Sequence, residues 1–237
     1  TFDLRQDVYE GLSWARLLEN FDAIMARAYS VSVFTTWAGA EIEKVWFKSA
    51  IGAARPPAEL YGARPVSRQE HPLEGADPDN TTEQHGVPGA WIDRLPHFKL
   101  GFTPSNGDEL QSEYLVPRKR AIEAIEVVRA LSPQITPLLH VSELRSVAAD
   151  SLWLSGAYET DVLGIHFTWK FEPDAVAALL PTIEAALAPF GARPHWGKVF
   201  GSVDRGLYPK LDEFVALAGR LDPNGKFRNE WLDRHIF

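Results

Sequence analysis

The apolar positions of this chain change period several times, and each change marks an element. Residues 2 to 9 alternate apolar and polar, as a half-buried strand requires. Asn20 then stands before a helical run over residues 21 to 28, where its side-chain oxygen is placed to accept from an early backbone N–H. Residues 30 to 36 and 42 to 51, rich in Val, Phe, Trp and Ile, predict two strands joined by a hairpin turn at Trp37-Ala38-Gly39-Ala40. From Gly52 to Gly89 the pattern gives way to Pro, Gly and charge, including Pro56-Pro57, His71-Pro72 and Asp77-Pro78, which predicts a long loop. With little apolar surface to anchor it, the stretch from 53 to 85 is expected to be poorly ordered or open to proteases.

Strand signals return at residues 98 to 102 and 109 to 116. Pro117 suits the first position of a helix running to about residue 131, with Ile122, Ile125, Val128 and Leu131 as its inward stripe. Two more strands are expected at 137 to 147 and 164 to 171, then a helix from about 173 to 188 with Leu179, Leu180, Ile183 and Leu187 inward, and a last helix from about 208 to 220. No repeat and no linker separates two cores, so the pattern predicts one α+β domain with a mostly antiparallel sheet covered by helices.

Composition narrows the function. A chain of 237 residues buries roughly 70 to 75% of its unfolded surface, and 45% apolar with 24% charged residues is ordinary for a folded protein. A formal net charge of -8 argues against nucleic acid as a partner. The absence of cysteine excludes disulfides, thiolate nucleophiles and cysteine metal sites. No apolar run approaches 18 residues, and the opening Thr1-Phe2-Asp3-Leu4-Arg5-Gln6 lacks the basic start and apolar core of a signal peptide. No membrane association is expected, and the cytoplasm is the default location. The missing initiator Met and the strand-like opening predict a chain cut from something longer.

Candidate chemistry gathers in three places. In Val141-Ser142-Glu143-Leu144-Arg145-Ser146-Val147, alternation puts Glu143 and Arg145 side by side on one strand face. In Gly164-Ile165-His166-Phe167-Thr168-Trp169-Lys170-Phe171, the aromatic and aliphatic residues, Phe171 included, take the core face and leave His166, Thr168 and Lys170 opposite. Such a mixture of donors and acceptors suits a row of hydroxyls. In the third place, Gly191 and Gly197 bracket Pro194-His195-Trp196, a fixed loop that would aim Lys198, with His195 assigned to structure. Taken one at a time, an exposed ion pair, a structural His and a surface Lys are the plainer readings; it is their joint occurrence that points to a polar pocket for a polyhydroxylated small molecule. No phosphate-cradling GxGxxG or GxxxxGK[ST] loop occurs, nor HExxH or GxSxG, and His71, His85, His97 and His140 lack metal-ligand spacing.

At these residues the chain resembles the C-terminal, substrate-binding (cap) part of the alditol oxidases in the vanillyl-alcohol-oxidase flavoprotein superfamily. The resemblance runs from Ala28-Tyr29-Ser30-Val31-Ser32 through Gly86-Val87-Pro88-Gly89 and Glu113-Tyr114 to Leu221-Asp222-Pro223-Asn224-Gly225-Lys226-Phe227-Arg228-Asn229. Its specific parts are Glu143-Leu144-Arg145, His166-Phe167-Thr168 and His195-Trp196-Gly197-Lys198. It implies that residues 1–237 form a substrate-binding cap domain in which Arg145, His166 and Lys198 are catalytic, Glu143 and Thr168 bind substrate, and Arg145 and Lys198 also face the cofactor. That cofactor would be FAD, held covalently through a histidine by an N-terminal FAD-binding domain outside these residues, so the chain alone is expected to be colourless and inactive. The implied reaction oxidises a terminal alcohol of a polyol such as xylitol or sorbitol to the aldehyde, with dioxygen as acceptor and hydrogen peroxide as product. An aldonolactone oxidase of the gulonolactone type shares the Glu-x-Arg and His-Trp-x-Lys features, and a non-catalytic sugar-binding module is the alternative from another class.

Overall fold

The computed structural model describes residues 1–73, 75–101 and 109–237. The alternating opening becomes β1 (Asp3–Glu10), and a short β2 (Leu12–Ser13) leads into α1 (Trp14–Glu19) and α2 (Phe21–Met25). The predicted hairpin follows as β3 (Ser30–Thr35) and β5 (Lys44–Ala50), antiparallel, with β4 (Glu41–Ile42) before the second strand. Its turn places Trp37 at φ 65° and Gly39 at φ 73°. Next come β6 (Arg64–Pro65), β7 (Gly89–Ala90), α3 (Trp91–Arg94), β8 (Glu109–Pro117), α4 (Ala121–Ala130) and α5 (Ser132–Ile135). The chain closes with β9 (Leu139–Val147), β10 (Val162–Lys170), α6 (Pro173–Leu187), β11 (Arg193–Pro194), α7 (Leu211–Leu221) and α8 (Glu230–His235). Among the described residues no helix is long and apolar enough to cross a membrane.

Strand order in the main sheet is β11-β8-β10-β9-β3-β5-β1-β6, with β7 also on β1, and every pairing is antiparallel. One face is apolar. Val33, Phe47, Tyr114, Leu144, Ile165, Phe167 and Trp169 pack there against Leu17, Phe21 and Ile24 of the first two helices, Ile125 and Val128 of α4, and Leu180 and Ile183 of α6. Burying each such side chain contributes about 1.5–3 kcal/mol, so this face carries most of the stability. Two of its indole nitrogens are paired with serines: Trp37 Nε1 donates to Ser142 Oγ at 2.7 Å and Trp169 Nε1 to Ser112 Oγ at 2.7 Å. The other face has only a small apolar cluster, Val8, Phe34, Trp46 and Val141 with Val66, and is otherwise polar.

Several local expectations change. Asn20 does not cap α2 with its oxygen; its amide nitrogen donates back to the Arg16 carbonyl at 3.0 Å, and Ser13 caps the unforeseen α1 by accepting from Arg16 N. Pro117 does not open a helix. It ends β8 opposite Val162, and the α-helix starts at Ala121 after a 3-10 turn, which leaves Ile122 exposed and makes Ala121, Ala124, Ile125 and Val128 the buried stripe. Phe171 lies beyond the end of β10, which stops at Lys170, and is 57% exposed. The strand expected from Phe98 is an isolated bridge to Thr81, and its far end, Phe102, lies outside the described residues.

The long loop is anchored by the buried Leu60, Ala63 and Val66 and also by polar groups. Thr81, Thr82 and Gln84 are buried, Gln69 Nε2 donates to Thr81 Oγ1 at 2.8 Å, and Gln84 Nε2 donates to the Glu70 carbonyl at 2.7 Å. Buried polar groups of this kind are hydrogen-bonded, as burial requires.

Candidate active site

The polar face is organised by register. On the central strand β10, His166 stands directly opposite Glu113 of β8 on one side and Glu143 of β9 on the other. One step along, Thr168 lies between Gln111 and Val141. One step back, Arg145 of β9 reaches over Gly164 to Glu113, with its Nη2 3.2 Å from Oε2, while its Nη1 stays 3.5 Å from Oε2 of its neighbour Glu143. Three strands thus bring two carboxylates, a guanidinium, an imidazole and a hydroxyl into one patch.

Lys198 comes from a loop fastened to the free side of β8. Arg193 and Pro194 pair with Leu115 and Tyr114, His195 N donates to the Glu113 carbonyl at 2.9 Å, and Val199 N donates to the Gln111 carbonyl at 2.8 Å. Within the loop, Gly197 N donates to His195 Nδ1 at 3.1 Å, the structural part expected of that histidine. Trp196 is half-buried against Tyr208, Phe200 and Trp231 and donates to the Leu154 carbonyl at 2.8 Å. With both ends fixed, the Lys198 ammonium is delivered onto Glu113 Oε2 and to 2.8 Å from His166 Nδ1.

An ammonium can only donate, so Nδ1 of His166 accepts and its ring hydrogen sits on Nε2, 3.1 Å from Thr168 Oγ1. Burial lowers the His166 pKa, and Lys198 and Arg145 add to this against the pull of Glu113, so the ring is neutral at neutral pH. Burial works to raise the Glu113 carboxyl, but His166, Arg145 and Lys198 crowd it and hold it well below the usual carboxylate range. Burial likewise opposes ionisation of Glu143, and His97, Arg145 and Ser32 overcome it and bring its pKa down to about 2. Lys198 is lowered by burial, partly offset by Glu113, while Arg145 is raised by the two carboxylates in spite of its burial.

Glu143, Arg145, His166, Thr168 and Lys198 line a cavity of about 280 Å³ together with Phe34, Gln111, Val141 and His97, and Glu113 lies behind them. All five residues singled out from the sequence are therefore in one place, whereas Lys170 points away and donates to the Pro137 carbonyl. Two neighbours were not foreseen as site residues. Glu113 carried a signal, since Glu109-x-Gln111-x-Glu113 alternates on a predicted strand. His97 lies three residues after α3 and had none.

A sequence profile described as D-arabinono-1,4-lactone oxidase matches residues 106–235. The chain belongs to that family. Alditol oxidase of a Streptomyces strain is 42% identical to this family member over 234 residues, 98% of the chain and 55% of that protein. L-gulono-1,4-lactone dehydrogenase of Mycobacterium tuberculosis is 29% identical over 52% of the chain and 30% of its own length, and L-gulonolactone oxidase of Mus musculus is 25% identical over 53% and 30%. The chain thus spans about half the length of the alditol oxidase and less of the others. A VAO-type flavoprotein of Myceliophthora thermophila has the same fold, with a TM-score of 0.57 at 13% identity over 94% of this chain and 46% of that one. In this D-arabinono-1,4-lactone oxidase family chain, Arg145 and Lys198 keep 33% and 15% of their side chains exposed at the cavity. Cations that keep part of their side chains open can offset negative charge that develops beside them.

Proposed function

We propose that this chain is the substrate-binding part of an FAD-dependent oxidase that converts a terminal alcohol of a polyol to the aldehyde. In this reading residues 1–237 form the cap domain, a separate FAD-binding domain of the same enzyme carries the cofactor, dioxygen is the acceptor and hydrogen peroxide the second product. We place the enzyme in the cytoplasm. The observation that carries the reading is the joining of Lys198, Glu113, His166, Arg145 and Glu143 into one paired row beside Thr168 on the cavity wall. The 42% identity to an alditol oxidase supports it.

Bound FAD supplies the hydride acceptor; the chain's residues handle everything else. The alcohol proton goes to His166 Nδ1 as Lys198 turns its hydrogen bond from that nitrogen to the substrate oxygen, the ring being kept neutral by burial. Lys198, beside that nitrogen, stabilises the alkoxide as it forms, and Arg145 adds a second positive charge against the cofactor side. Since Thr168 Oγ1 already accepts from His166, its own hydrogen is available to a substrate oxygen. Glu143, ionised through the whole neutral range, accepts from a substrate hydroxyl.

Anaerobic mixing of the complete FAD-loaded enzyme with xylitol or sorbitol tests this: the flavin absorption bleaches, and readmitted oxygen yields peroxide. A second reading, oxidation of an aldonolactone, is favoured by the family profile and by the gulonolactone relatives. Bleaching by a gulonolactone with none by either polyol would establish it and remove the first.

A further inference from the structure

One wall of the cavity comes from outside the sheet, and it is built on two buried cations. Lys48 of β5 is fully buried on the polar face, and its ammonium donates to the carbonyls of Arg94, Leu95 and Pro96 at 2.9, 2.7 and 2.7 Å. Arg94, itself buried, donates to the carbonyls of Val87, Pro88 and Asp93 and to the Glu83 carboxylate. Gly89 lies so close over it that a Cβ there would stand 2.5 Å from the guanidinium carbon. Buried cations are tolerated when they are hydrogen-bonded, and here six carbonyls and the Glu83 carboxylate accept from them, so the segment from residue 83 to 97 is a braced strap.

The strap ends in His97. Its carbonyl accepts from Thr82 N at 3.0 Å, and its ring is held edge-on by Trp46 and Phe34, with centroids 5.3 and 5.5 Å away. Nε2 then meets Glu143 Oε1 at 3.2 Å, with Ser32 Oγ at 3.5 Å. Facing a carboxylate, that nitrogen carries the hydrogen and donates it.

Resting on the polyol-oxidase reading, we infer that His97 is a specificity-determining residue: it occupies Oε1 of Glu143, so that Oε2 and the adjoining Arg145 are presented to the substrate in one fixed orientation. Lys48 is the positioning residue behind it, acting through the strap and touching no substrate. The hydrogen bond from His97 also heads the favourable interactions that keep Glu143 ionised against its burial. A carboxylate that loses this donor turns to find another, and a substrate hydroxyl drawn to the vacated oxygen binds in the wrong pose.

The test uses the complete FAD-loaded enzyme and anaerobic rapid mixing with xylitol, which gives a dissociation constant and a limiting rate of flavin reduction separately. His97→Leu is expected to raise the dissociation constant about 10- to 100-fold, the range for losing a hydrogen bond to a charged partner, and to change the limiting rate less than about threefold. His97→Gln, which keeps an N–H within reach, is expected to restore binding, whereas His97→Asn, too short to reach Glu143, should behave as His97→Leu does. The Asn variant decides the matter if the Leu variant does not fold. Lys48→Met should move binding in the same direction. A wild-type enzyme reduced by xylitol together with a folded His97→Leu or His97→Asn variant that binds equally well would overturn this inference alone, as would a Gln variant no better than Leu. A wild-type enzyme that no polyol reduces would overturn the functional reading, and this inference with it.

Discussion

Gly164 lies directly beneath the Glu113 carboxylate: a Cβ at this position would stand 2.9 Å from Oε1 and 3.4 Å from Cγ of Arg145. The floor of the site is therefore bare at that point so that the carboxylate can settle between its two cations. Gly164→Ala is expected to displace Glu113 and Arg145 by a few tenths of an ångström, keep the fold, and lower kcat of the complete enzyme about tenfold, since small misplacements are costly in an oriented site. A folded variant with unchanged kcat on xylitol would refute this.

Lys198 and Thr168 should differ in kind. Lys198→Met removes a preorganised charge from the place where charge develops and should slow flavin reduction at least about 100-fold, with little change in substrate binding. Thr168→Val removes a hydroxyl that meets the substrate in its ground state and should chiefly raise KM. Reductive half-reaction kinetics separate the two; an unchanged reduction rate in the Lys198 variant would return that residue to a structural part and leave Arg145 as the working cation.

Removing Glu113 should cost stability as well as activity. It receives Lys198 and Arg145 in a buried setting, so Glu113→Gln leaves Lys198 without its counter-charge and Arg145 with Glu143 alone, a loss on the order of 3 kcal/mol for a broken buried pair. Adding Lys198→Met should recover part of it, because the stranded cation is then gone. Denaturant unfolding of the two single variants and the double variant measures this coupling. Strict additivity would show that the pair contributes nothing.

His166 gives the pH dependence its sign. Its folded pKa is depressed, so the stability linked to its burial is fully present above the unfolded value of 6.5 and is lost as pH falls through the lower folded value. Glu143 behaves alike in a lower window, from its ordinary 4.5 down to about 2. Folding stability should therefore decline on acidification in two steps. If His166 takes the alcohol proton, the acidic limb of kcat/KM must lie below 6.5. A limb at or above that value, measured on the complete enzyme across buffers of constant ionic strength, would exclude His166 as the base.

Much of this was legible because strands write their faces into sequence. The alternation of Ile165, Phe167 and Trp169 with His166 and Thr168, and the two-residue spacing of Glu143 and Arg145, gave the polar face before any pairing was known. What alternation cannot give is register between distant strands. Nothing local says that His166 falls opposite both Glu113 and Glu143, or that β3 lies beside β9 and so puts Ser32 and Phe34 next to them. Pro117 was misread for a related reason: at φ -47° and ψ 126° it is extended, and the φ that suits a first helical turn suits a strand end as well. His97 was hidden because its place depends on carbonyls gathered around Lys48, a contact between residues 46 or more positions apart.

The fastening of the Lys198 loop along β8 has a consequence beyond aiming an ammonium. Without Arg193, Pro194, His195 and Val199, β8 would be the outermost strand and would offer the carbonyls of Gln111 and Glu113 to any passing chain. Bare strand margins of that kind recruit other molecules and seed aggregates. The loop is thus also a guard rail, and substitutions that shake it free should be recognised by two losses at once: turnover disappears and the protein comes out of solution.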